Sequence, residues 1–303
     1  MYKLERKIQI GMSACMCGAK VRYNEKGWDM IKHMGRDKEA FVFHPMCPEI
    51  MSGMGVPRLA IRIKGESGMS VWNDGGEVVD ASGRKWTYAI KDSCRDVMDF
   101  CEKQKLDAYI YMEGSPTCGV LRTTLKNNRL GKPPGVLGAL LLESEMFLIS
   151  GTDLQSPIKW WDIKRRLMAF IYLKEWDIKD KATLYEMWHN YKFICQEISN
   201  QEARDLGNRL GNLPKVVTQE ELDEIKLTIM NMLRNASSPA KIRQMLWKHY
   251  THLRRKENVI LPEVKEPTDL RGMHALAKEL TKMTTESFQR DVIYGQVPVI
   301  YRR

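Results

Sequence analysis

Three times in the first half of the chain, a short run of β-favouring residues ends in a turn that carries a cysteine. IQIGMSACMCG runs from apolar residues into small ones. AFVFHPMCPE does the same, with proline on both sides of its cysteine, and LDAYIYMEGSPTCG does it a third time. Apolar runs bounded by Gly, Ser and Pro read as strands. Segments between them, such as SCRDVMDFCEKQ, space their apolar residues as a helix does. Strands alternating with helices predict an α/β domain with a mostly parallel sheet and helices on its faces. All strands of a parallel sheet end along one edge, where ligand and catalytic sites collect. Cys15, Cys47 and Cys118, each just past a strand, can therefore meet in space although far apart in the chain.

A Pro/Gly loop opening a short helix is expected in GKPPGVLGALLLESE, and a last strand in MFLIS. Turn residues in GTDLQSP mark a boundary, giving domains 1–154 and 155–303. Beyond it the pattern is helical: WWDIKRRLMAFIYLKEW, KATLYEMWHNYKFICQEI, SPAKIRQMLWKHYTHLRRKE and LRGMHALAKELTKMTTESFQRD all carry apolar residues at helical spacing. Thr218 with Glu221 three residues later forms a capping-box signature opening another helix. The second domain is expected to be all-α.

At 303 residues the chain has room for two domains, and at 43% hydrophobic residues it can bury real cores. No apolar run approaches the roughly 20 residues of a membrane span. The first residues, MYKLERKIQIGMSAC, lack a secretory apolar stretch, so a cytoplasmic location is expected. A net charge of +10 suits a polyanionic partner such as RNA, through a folded surface rather than a basic tail. The seven cysteines are odd in number and lack a secretion signal, which disfavours a disulfide framework. Cys94, Cys101 and Cys195 fall on helices and read as core residues. The three turn cysteines have Gly, Pro or hydroxyl neighbours, which let backbone N–H groups approach a thiolate. No C-x-x-C is present, against ferredoxin-type clusters and zinc ribbons. Three thiolates with an open position suit either an iron–sulfur cluster or zinc. Cys17, in a C-x-C with Cys15, is a bystander or a fourth ligand.

The wording around these cysteines, SACMCGAKVRY, CPEIMSGMGVPR, GSPTCG and GVLGALL, resembles the 2-thiouracil desulfurase (TudS) family over roughly residues 8–150. Cys17 replaces a usual aliphatic residue and Thr117 a usual Ser. LYEMWHNYKFICQEI followed by RDLGNRLGN resembles, more weakly, a YbgA-like helical domain over about residues 160–290. The pair of domains is similar to tRNA 4-thiouridine desulfidases.

The resemblance implies a [4Fe–4S] cluster held by Cys15, Cys47 and Cys118, with one iron open to a thiocarbonyl sulfur. It implies non-redox removal of sulfur from a thiolated uracil, with 4-thiouridine in tRNA as the leading substrate and a free thiobase as the alternative. A different reading is an RNA-binding or redox-sensing protein whose cluster is structural. The resemblance points to Glu49 as the base for water and to Ser115 as a hydrogen-bonding partner of the ring or the water. Arg22 and Arg58 are candidates to contact substrate phosphate, or else to hold a carboxylate such as Glu49. Tyr23 can stack on a base. In the helical half, Lys164-Arg165-Arg166, Lys248-His249 and Arg254-Arg255-Lys256 interleave with five tryptophans (160, 161, 176, 188 and 247), a pattern suited to RNA or to a helical core with a basic face.

Overall fold

The computed structural model describes residues 1–123 and 133–301. Gly131 and Lys132 of the Pro/Gly loop lie outside them. The chain divides into two compact units, Arg6–Gln155 and Met1–Glu5 joined with Ser156–Arg303. The first strand, β1 (Tyr2–Leu4), thus belongs with the helical half rather than with the residues that follow it.

In Arg6–Gln155 four parallel strands form one sheet in the order β3-β2-β6-β7. These are β2 (Ile8–Ser13), β3 (Phe41–Met46), β6 (Ala108–Tyr111) and β7 (Phe147–Ser150). Ile8, Ile10 and Met12 of β2 are fully buried, as is most of β6, as expected of central strands covered on both faces. Strand order runs outward from β2 to β3 on one side and through β6 to β7 on the other. The sheet therefore has a topological switch point between β2 and β6, where open α/β sheets bind ligands.

Two helices fix the rim of this edge. The short α1 (Pro48–Met51) starts directly after β3. The longer α3 (Thr87–Lys103) buries Ile90, Cys94, Val97 and Cys101, one stripe at helical spacing. Cys94 and Cys101 are core residues, as their helical setting predicts. The sequence reading gave no account of an antiparallel pair, β4 (Ile61–Lys64) with β5 (Glu77–Asp80), nor of α2 (Gly68–Trp72) between them. Each is only four or five residues long, too short for a periodic signal. A final helix of this unit, α4 (Val136–Glu143), packs on the turn that carries Cys118.

The other unit holds α5 (Pro157–Glu175), α6 (Lys181–Ile198), α7 (Asn200–Gly211), α8 (Gln219–Arg234), α9 (Pro239–Glu257) and α10 (Met273–Gln289). Asp180, Ser199, Thr218 and Ser238 cap α6 to α9 by accepting from backbone N–H groups of the first turn. β1 pairs in parallel with β8 (Val299–Tyr301), so residues 2–4 complete the structure formed by residues 156–301. Among the described residues no helix is long and apolar enough to cross a membrane.

The expected basic and aromatic surface of this unit changes on inspection. Trp160 and Trp161 are buried, and so are Arg165 and Arg166. Arg165 pairs with Asp162 at 2.6 Å and with Glu197, and donates to Gln296 O at 3.1 Å. Arg166 donates to Asp162 at 2.8 Å and to Leu233 O at 2.9 Å. A buried charge is stable only when paired and hydrogen-bonded, and these two are. They form the polar centre of the helical core and are closed to RNA. Lys248, Arg254, Arg255 and Lys256 on α9 are exposed. His249, between the edges of Phe193 and Tyr294, is pushed down to about 4 by burial, helped by His252, Lys248 and Arg165.

Candidate active site

β2 ends at Ser13 and runs straight into a 3₁₀ turn, Ala14–Met16, which carries Cys15. β3 ends at Met46, and Cys47 is the residue that caps α1, with Pro48 starting the helix. β6 ends at Tyr111, and a tight turn follows to Cys118. Since β2 lies between β3 and β6, the three cysteines follow three neighbouring strands.

The Cys118 turn is held from several sides. Ser115 Oγ accepts the backbone N–H of Thr117 at 3.2 Å and of Cys118 at 3.0 Å. Buried Glu113 accepts the N–H of Arg122 at 3.0 Å, and burial pushes its carboxyl up. The N–H groups that open α4 have no partner within their own helix. Here they bond to the turn: Val136 N to Pro116 O, and Leu137 N and Gly138 N to Thr117 O. This approach needs glycine, since a Cβ on Gly138 would stand 2.0 Å from Gly119 O. GVLGALL is thereby explained as the helix start that braces the third cysteine.

All eight residues singled out from the sequence line one cavity of about 280 Å³: Cys15, Cys47, Cys118, Glu49, Ser115, Arg22, Tyr23 and Arg58. Cys17 does not line it; its thiol donates to Ala14 O at 3.0 Å. Ser13, Met112 and Thr123 also face the cavity and were missed. Their residue types carry no chemical signature, and only the fold brings them there.

Burial pushes the Cys15 thiol up to about 12, with Arg22 opposing and Cys47 and Glu49 adding to the rise. Burial likewise raises Cys47 and, further, Cys118, which also feels Cys47 and Cys15. The sulfurs thus share one electrostatic environment. Among the described residues no three His, Cys, Asp or Glu side chains stand close enough to hold one metal ion. Zinc would gather its sulfurs at about 2.3 Å from a single centre. Three thiols lining one cavity, with no histidine in its wall, fit the thiolate ligation of an iron–sulfur cluster.

Glu49 is held on both oxygens. Oε1 accepts the hydroxyl of buried Thr117 at 3.0 Å. Oε2 accepts Arg58 Nε at 3.1 Å and pairs with Arg58 Nη2. Arg58 Nη1 donates to Val21 O at 2.8 Å and Gly55 O at 3.0 Å. Four of the five guanidinium donors are thus committed within the protein. Of the two roles open to Arg58 in the sequence, holding a carboxylate is the one the geometry displays. Arg22 differs: its guanidinium lies 4.3 Å from the ring of Trp28 and 5.8 Å from that of Tyr23, and its buried Nη1 has no hydrogen-bond partner among the described residues.

Residues 10–153 match the family model described as 2-thiouracil desulfurase. The uncharacterized protein YbbK of Bacillus subtilis (strain 168) is 28% identical over 148 residues, covering 47% of this chain and 95% of that protein. A solved structure of the [4Fe–4S]-dependent thiouracil desulfidase TudS is 25% identical. It covers 50% of this chain and 93% of its own, with a TM-score of 0.39.

Proposed function

We propose that this chain, whose residues 10–153 are a domain of the 2-thiouracil desulfurase family, hydrolyses the carbon–sulfur bond of a thiolated uracil, with 4-thiouridine in tRNA as its substrate. The observation that carries this reading is the meeting of three strand-end thiols and a braced carboxylate at one cavity within that domain. The reaction is C=S plus water giving C=O plus hydrogen sulfide, with no net electron transfer.

Cys15, Cys47 and Cys118 would hold a [4Fe–4S] cluster. When bound, it supplies a soft Lewis acid with one iron free of protein ligands, matched to a soft thiocarbonyl sulfur. The remaining work falls to side chains. Glu49 is the base for water: Oε2 already takes two Arg58 donors, whereas Oε1 accepts only Thr117 and retains a lone pair for the water. Arg58 and Thr117 keep that carboxylate from turning away. Ser115 Oγ accepts from two backbone N–H groups, so its own proton is left to donate to the ring or to the water. Tyr23, exposed at the cavity, offers a face on which a base can stack.

The tRNA assignment is supported by the net charge of +10, by exposed Lys248 and Arg254-Arg255-Lys256 on α9, and by the YbgA-like wording of the helical half. The basic face is narrower than the sequence suggested, since Arg165 and Arg166 are buried. A cytoplasmic location goes with this substrate.

The test uses the full chain, reconstituted without oxygen and analysed for iron and sulfide. It is incubated with 4-thiouridine-containing tRNA and, separately, with free 4-thiouracil. Loss of thione absorbance in tRNA with release of sulfide is expected. No loss on either substrate at full iron and sulfide content sinks the desulfidase reading, and loss on the free base alone reassigns the substrate. Bound zinc in place of iron and sulfide would overturn the cluster.

A further inference from the structure

Most polar atoms around the cavity are committed to partners, but among the described residues three buried ones, Ser13 Oγ, Arg22 Nη1 and Thr123 Oγ1, make no hydrogen bond. Thr123 is fully buried, faces the cavity, and its Oγ1 has no hydrogen-bond partner among the described residues. Arg22 Nη1 is buried and unpartnered in the same cavity wall. Buried hydroxyl and guanidinium groups left alone are costly, and native structures rarely keep them without a ligand or ordered water to satisfy them. Ser13 Oγ lies against the Cys118 thiol, so Arg22 Nη1 and Thr123 Oγ1 are the pair that marks where a polar ligand edge belongs. Arginine has donors and no acceptor, so the group facing Nη1 must be an acceptor oxygen or an anion. A threonine hydroxyl both donates and accepts, so it suits either part of a ring N–H/C=O edge.

We propose that Thr123 and Arg22 are the specificity-determining pair that reads the non-sulfur polar edge of the substrate ring. This rests on the desulfidase reading above. Arg22 Nη1 donates to the remaining carbonyl oxygen of the thiouracil, and Thr123 Oγ1 bonds to the neighbouring ring edge. Trp28, stacked on the guanidinium at 4.3 Å, holds Arg22 in the plane that makes this contact. The substrate class is therefore a thione that retains its second carbonyl, rather than any thiocarbonyl small enough to enter. A site built to hydrogen-bond a polar group rejects an analogue lacking it, because the site's own groups are then stranded.

The experiment compares 4-thiouracil with pyrimidine-4-thione, which lacks the second carbonyl, on the wild type and on Thr123→Val, Thr123→Ser and Arg22→Met. The wild type should prefer thiouracil in kcat/KM by about a hundredfold or more. Thr123→Val should lose about ten- to a hundredfold on thiouracil and much less on the analogue, while Thr123→Ser recovers most of the loss. Arg22→Met should behave as Thr123→Val does. Equal losses on both substrates, or none, overturn the proposal, as does a wild type that accepts both rings alike. Loss of selectivity only with a phosphorylated substrate would assign Arg22 to phosphate and overturn its ring contact. Calorimetric binding of uracil to the same proteins supplies a second readout that needs no turnover. Weaker binding to Thr123→Val than to Thr123→Ser supports ring recognition even if no thione is consumed. Equal binding by the two refutes it.

Discussion

Two of the buried ion-pair systems in this molecule look alike in a residue inventory and differ in one respect. In the helical unit, Arg165 and Arg166 bond to Asp162, Glu197 and the carbonyls of Gln296 and Leu233, and the set is closed on itself within the core. In the α/β unit, Glu49 and Arg58 also pair, but they sit on the wall of a cavity beside groups, Arg22 Nη1 and Thr123 Oγ1 among them, that have no hydrogen-bond partner among the described residues. A closed set stabilises and specifies a core. An open set leaves bonding capacity for something that comes and goes. Charge and burial do not separate the two cases; the state of the neighbouring donors and acceptors does.

That contrast is exposed to direct tests. The largest effect is expected from Glu49→Gln, which should lower turnover about 10²- to 10⁴-fold as the base is lost. Iron content and melting temperature should stay near wild type; a loss of fold instead would make Glu49 another closed-set residue. Next comes Arg165→Met, which leaves Glu197 buried without its cation and Asp162 with Arg166 alone. It should cost ~3–5 kcal/mol in denaturant unfolding. A cost below about 1 kcal/mol would show that solvent reaches this core.

A third test uses pH. His249 is held neutral, its folded value near 4 against an ordinary 6.5. Protonation then favours the unfolded chain, so stability present above pH 6.5 is lost as pH falls toward 4, by up to about 3 kcal/mol. In thermal melts across that window, the stability of the wild type relative to His249→Leu should fall as the pH drops; a difference that does not change with pH would show that this group is not responsible. The smallest effect is expected from Thr117→Val, which removes one hydrogen bond to Glu49. It should reduce kcat by roughly tenfold with iron content and KM little changed. An unaltered kcat would mean that Arg58 alone fixes the carboxylate.

Much of the α/β architecture was readable because its strands are apolar runs stopped by Gly, Ser and Pro. The cysteines at their ends could be placed on one edge without any distance. The short β4 and β5 had no such signal. Lys164-Arg165-Arg166 misled because three adjacent basic residues look like a surface. The partner that draws Arg165 inward is Glu197, 32 positions away on another helix. Glu49 and Arg58 could be paired as a possibility, whereas Thr117 was seen only as a departure from wording. Thr123 gave no signal at all, since a threonine declares its function only when its neighbours leave its hydroxyl alone.

The pairing of β1 with β8 carries a consequence for the order of assembly. Residues 2–4 and 299–301 form one ladder although nearly three hundred positions separate them. A contact of that separation closes a long loop, so it is slow to form and follows local helical packing. All of Arg6–Gln155 lies between the two strands in the chain, which makes the α/β unit an insertion within the helical one rather than a module strung before it.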